Sequence, residues 1–145
     1  MAFHFSLGTV LRVRGILEEQ EERMLQKIQA EITQTVEAIK RLDTQIAGSD
    51  ASRRSEVSKL SLGRNLHASY QEVKELKHLR DELEDRAAKL EQLRVRQLLV
   101  YDAARRDREM LTEMQEAKRT AYETGMARTA QKTIDDNYNA RRGRC

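Results

Sequence analysis

The chain has 145 residues, of which 35% are charged and only 4% aromatic, with no tryptophan and no proline. One domain of chain this polar cannot enclose a broad compact core, but a proline-free sequence rich in Glu, Lys, Arg, Gln, Leu and Ala can run long helices without a break. The net charge of +3 resides wholly in residues 116–145, where seven basic side chains face four acidic ones.

Phe3, Phe5 and Leu7 open the sequence, and Ser6 is the candidate N-cap of a first helix. Leu7, Val10, Leu11, Leu17 and Met24 begin an apolar face that Arg12, Arg14, Gly15 and the acidic run after Leu17 weaken. From Leu25 the pattern tightens. Leu25, Ile28, Ile32, Thr35, Ile39, Leu42 and Ile46 recur in alternating steps of three and four. An apolar position about every 3.5 residues is the signature of a helix burying one narrow stripe against another helix. A core helix of a globular domain carries a wider face. The spacing therefore predicts a helix over residues 6–47 that needs a helical partner.

Residues 48–65 read as the connection, because Gly48–Ser55 is small and polar and Gly63-Arg64-Asn65 interrupts again after Val57, Leu60 and Leu62. The rhythm restarts with Leu66, Tyr70, Val73, Leu76, Leu79, Leu83, Ala87, Leu90 and Leu93. Ser69-Tyr70-Gln71-Glu72 has the form of a capping box. Leu98, Tyr101, Ala104, Met110, Leu111, Met114, Ala117 and Ala121 extend the stripe, and Glu82 with Arg86 is one of several ion pairs at helical spacing. A second helix over 66–138 follows, with a polar tail at 139–145. The expected fold is all-α: two long helices in one antiparallel coiled-coil hairpin, the C-terminal helix longer and overhanging. The overhang would be roughly 25 to 40 residues, or about 40–60 Å at 1.5 Å per residue, depending on the turn. A bare helix of that length is marginal in water. It calls for something to bind it.

Chemistry-bearing patterns are absent. His4, His67 and His78 form no metal-binding spacing, and no phosphate loop or nucleophile elbow is present. The expectation is a non-enzyme with no cofactor. No run of 18 apolar residues spans a membrane and the N-terminus lacks a secretory pattern, which points to the cytoplasm. Cys145, the only cysteine, reads as an inert terminal thiol. The basic C-terminal end suits a helix dipole first and an acidic partner second.

The opening Phe5-Ser6-Leu7, Val10-Leu11-Arg12-Val13-Arg14 and Glu18-Glu19-Gln20-Glu21-Glu22 resembles the start of the flagellar export protein FliJ family. Residues 93–128, with Arg106-Asp107-Arg108-Glu109 and Ala117-Lys118-Arg119-Thr120-Ala121-Tyr122, are similar to that family's long second helix. The resemblance covers nearly the whole chain. It implies an antiparallel two-helix coiled coil similar to the stalk of the rotary ATPase gamma subunit. It also implies a place in the soluble part of the flagellar type III export apparatus, peripheral to the inner face of the cell membrane. The implied partners are a FliI-type export ATPase hexamer, the FlhA export gate protein and export chaperones. The ring would meet the end carrying both termini, through Leu7, Leu11, Arg14, Lys118, Arg119, Tyr122 and Arg128. The gate would meet the hairpin end, through Tyr70 and Val73. Two other classes fit the residues: a coiled-coil scaffold or chaperone for unfolded secretion substrates, and a nucleic-acid-binding hairpin using Arg141, Arg142 and Arg144.

Overall fold

The computed structural model describes residues 2–58 and 63–144. They form two α-helices, α1 over Gly8–Ser58 and α2 over Gly63–Arg142. Among the described residues there is no strand. The expected class holds: a helical hairpin whose second helix is the longer. The connection lies between Ser58 and Gly63, so residues 59–62, including Leu60 and Leu62 of the expected connection, fall outside the description, as does Cys145.

Both helices are longer than their apolar patterning suggests. α1 runs on from residue 47 through the small, polar stretch to Ser58, and α2 begins at Gly63 rather than 66 and ends at Arg142 rather than 138. Without proline nothing forces a stop. Polar side chains hold the extension: Arg53 reaches Asp50 at 3.3 Å, and Ser69 donates to the Glu56 carboxylate at 3.3 Å. Ser69 is thus an inter-helix contact inside α2, not the cap of its first turn. Nor is Ser6 the N-cap of α1. It sits in a turn closed by the Gly8 N–H on the Phe5 carbonyl at 3.0 Å, and the Leu7 carbonyl accepts the first helical bond, from Leu11 at 2.9 Å.

Contacts divide the chain into two compact units, Glu22–Val100 and Met1–Glu21 with Tyr101–Cys145. In the first, here the central unit, the helices pair antiparallel: Asp43 meets Arg80 and Glu56 meets Ser69. Its α1 stripe is as the spacing predicts. Leu25, Thr35, Leu42 and Ile46 are buried and Ile28, Ile32 and Ile39 half-buried. The Thr35 hydroxyl donates to the Glu31 carbonyl at 2.8 Å, so the one polar side chain buried in the α1 stripe is not orphaned.

On α2 the stripe differs from the apolar reading. The half-buried and buried positions are Leu66, Ser69, Val73, Leu76, Arg80, Leu83, Ala87, Leu90, Arg94 and Gln97, alternating strictly in threes and fours. Tyr70, Leu79, Leu93 and Leu98 are exposed. Regular spacing outranks hydrophobicity here because the partner stripe on α1 is regular, and a long arginine stem packs in a seam while its head reaches water. Asp43 lies 2.6 Å from Arg80 Nε but off the N–H direction, so that pairing is Coulombic rather than a hydrogen bond.

The second, terminal unit is also antiparallel: Arg14 meets Asp107, Glu18 meets Arg108 and Phe3 meets Tyr122. Its α2 stripe continues through Tyr101, Ala104, Arg108, Leu111 and Gln115 to Tyr122, while Met110, Met114, Ala117 and Ala121 are exposed. Beyond Tyr122 every described residue of α2 is exposed. The overhang is therefore residues 123–142, shorter than expected, because the N-terminal residues ahead of α1 also pack on α2. Glu82 pairs with His78 at 3.1 Å in place of Arg86.

Candidate interaction surfaces

In the terminal unit the residues ahead of α1 fold onto α2 as an aromatic clasp. Phe5 is 6% exposed, and the Lys118 ammonium lies 5.6 Å from its ring centre. Phe3 packs on Tyr122 with ring centres 5.6 Å apart and planes tilted by 50°. The Arg119 guanidinium covers the Phe3 ring at 5.7 Å. A cation over an aromatic face is drawn to the ring's quadrupole, by roughly 0.5–1 kcal/mol at exposed sites. The clasp thus fixes three of the basic and aromatic residues the resemblance marks for a ring contact.

The remaining members of that set are spread along the same unit. Leu7 and Leu11 are half-buried beneath it. Arg14 is largely exposed and reaches Asp107 at 3.4 Å. Arg128 is exposed on the overhang. Below the clasp Arg108 grips the Glu18 carboxylate with both Nε and Nη2, at 2.6 and 3.2 Å. That hydrogen bond holds the Arg108 pKa above its ordinary value, with the negative charges of Glu18 and Glu109 adding to it. A cleft of about 410 Å³ lies beside the clasp, lined by Phe3, His4, Ser6, Thr9, Arg12 and Arg119.

The two residues marked for the gate sit differently from each other. Tyr70 is 56% exposed, with the Arg53 guanidinium 6.0 Å from its ring centre, and a small cleft there carries Lys74 and Lys77 on its rim. Val73 is 3% exposed. It is a seam residue at the floor of the same cleft, so it offers a partner far less surface than Tyr70 does. Sequence spacing alone does not separate Val73 from its exposed neighbour.

A groove that apolar spacing did not reveal runs along the central unit. Met24, Ile28, Leu90, Leu93 and Val100 line it, with Lys27, Glu31, Arg96 and Gln97 at its edges. Leu93 and Val100 stand one position before the seam residues Arg94 and Tyr101. Their apolar character beside polar seam positions was the available signal.

Compared with protein-family models, with curated proteins and with solved structures, the chain finds no match. Its own geometry carries the rest. Among the described residues no group of His, Cys, Asp and Glu is placed to hold a metal ion, and no helix is long and apolar enough to cross a membrane. What the surfaces offer is recognition: a basic, aromatic clasp, an apolar groove and an uncovered helix end.

Proposed function

We propose that this protein is a non-enzymatic coupling subunit of flagellar type III protein export, of the FliJ type. It would work in the cytoplasm at the inner face of the membrane, between a FliI-type ATPase ring and the FlhA gate, assisting the cycling of export chaperones. The observation that supports this reading best is the clasp. It holds Lys118, Arg119 and Tyr122, three of the positions the resemblance assigns to the ring, against the N-terminal segment in one basic surface. A basic surface of this kind suits an acidic rim on a partner and speeds encounter by long-range attraction. On the gate side Tyr70 offers most of the contact surface, with Val73 at the floor of the cleft beside it.

Adding purified protein to a FliI-type ATPase tests it. Stimulated hydrolysis that fades in a Lys118→Glu/Arg119→Glu variant is expected, along with crosslinks from residues 7–14 or 118–132 to the ring. An ATPase rate unchanged by the wild-type protein, or crosslinks only from residues 48–73, would sink the reading.

One observation favours a second reading, a chaperone for unfolded export substrates. The groove of Met24, Leu90, Leu93 and Val100 can take an apolar segment of an extended or helical chain. Substrate binding without any effect on ATPase activity, lost in Leu93→Glu, would select it.

A further inference from the structure

Arg14, Arg105 and Arg108 of the terminal unit each reach a carboxylate, on Asp107, Glu109 and Glu18 in turn. Arg12 and Arg119 do not. Among the described residues neither makes an ion pair or donates a hydrogen bond, and both line the cleft of about 410 Å³ beside the clasp. The attraction between Arg119 and the Phe3 ring holds that guanidinium in place without occupying its N–H donors. The rest of the lining is of the same kind. His4, Ser6, Thr9 and Gln115 can all donate, their side chains hydrogen-bond to no described residue, and no carboxylate lines the cleft.

Charge and donor number decide what such a cleft takes. A carboxylate is satisfied by a single guanidinium fork, as Glu18 is by Arg108. Here two guanidiniums, carried by different helices, border one space beside an imidazole and two hydroxyls. A phosphoryl group carries about −1.5 to −2 charge near neutral pH and three strong acceptor oxygens, so it can take donors from both arginines at once. The space also exceeds what one phosphoryl group fills. Its 410 Å³ falls in the range of roughly 300–1,000 Å³ typical of small-molecule sites.

We propose that this cleft binds a phosphorylated small molecule, with Arg12 on α1 and Arg119 on α2 gripping the phosphoryl oxygens and His4, Ser6 and Thr9 adding hydrogen bonds. Phe3 is a positioning residue: it holds the Arg119 guanidinium at the cleft before the ligand arrives, which lowers the entropy lost on binding. A nucleotide and an inorganic polyphosphate offer the same chemistry to these groups. The proposal does not rest on the export reading.

Calorimetric titration of the full chain at low ionic strength, without divalent cations, tests it with ATP, tripolyphosphate and citrate as probes. ATP and tripolyphosphate are expected to saturate a single site. Citrate, of comparable charge but carrying carboxylates, is expected to bind at least about tenfold more weakly. Arg12→Gln and Arg119→Gln should each weaken phosphate binding roughly tenfold, the loss of one charged hydrogen-bonding group. Arg128→Gln, on the overhang outside the cleft, should leave it unchanged. Arg12 has no partner among the described residues, so its variant should keep the helix content and melting temperature of the wild type. Tighter binding of ATP than of tripolyphosphate supports the proposal with a nucleotide as ligand, and the reverse or equal order supports it with a polyphosphate. No saturable binding, equal affinity for citrate, or the same loss in Arg128→Gln as in Arg12→Gln would overturn it, the last by reducing the effect to diffuse attraction toward a basic end.

Discussion

The central and terminal units use one chain and one antiparallel pairing but are held by different forces. In the central unit Leu25, Leu42, Ile46, Val73 and Leu90 are buried along the seam. In the terminal unit Phe5 is the one buried hydrophobe among the described residues, and the helices meet through Arg14–Asp107, Glu18–Arg108 and rings capped by cations. Burial of apolar area is not screened by salt, whereas exposed charge pairs weaken as ionic strength rises. The central unit is thus the fixed part of the molecule. The terminal unit responds to its ionic surroundings and to any charged partner that competes for its cations.

The largest expected effect strikes the fixed part. Leu42→Ala removes a seam residue that is 8% exposed and should cost about 2–3 kcal/mol in urea unfolding. Hydrogen exchange should quicken across residues 22–100. Phe5→Ala comes next, at about 2 kcal/mol for a ring that is buried but lies near the chain end. Here exchange should quicken in the first turns of α1 and around Lys118–Tyr122 while residues 22–100 keep their protection. Equal loss in both units would dissolve the comparison.

Arg108→Glu should destabilise the terminal unit by roughly 1 kcal/mol at low salt and by less at high salt, since the pair with Glu18 is partly exposed. Exchanging both charges, Glu18→Arg with Arg108→Glu, should recover most of the loss. The smallest effect belongs to a partly exposed pair in the central unit, Glu91 with Arg94. The hydrogen bond from Arg94 lowers the Glu91 pKa below its ordinary 4.5 against the desolvation that raises it, and the Arg94 charge adds to the lowering. Its contribution is therefore complete above that value and is lost as pH falls through the lowered pKa. An acid titration of wild type against Glu91→Gln should show the two melting curves converging below pH 4.5.

Much of the fold is legible in the sequence. The stripe from Leu25 to Ile46 is apolar at nearly every seam position, so periodicity alone predicts its burial. Its partner on α2 was legible only in outline. Arg80, Arg94, Gln97 and Arg108 occupy seam positions, while Leu79, Leu93, Leu98 and Met110 stand off them. A search for apolar residues follows the wrong set wherever the seam turns polar. The extension of α1 to Ser58 was hidden for a related reason: a helix held by Arg53, Glu56 and Ser69 leaves no hydrophobic trace. The clasp depends on residues more than a hundred positions apart, and local pattern says nothing about such a meeting.

The absence of proline, which lets α2 run through 80 residues, also bears on how the molecule assembles in time. Isomerisation of X–Pro bonds, the commonest source of slow refolding over tens of seconds, has no bond here on which to act. Pairing of the two helices from denaturant should therefore be fast and independent of protein concentration. A slow phase that quickens with concentration would be the kinetic trace of two chains finding each other.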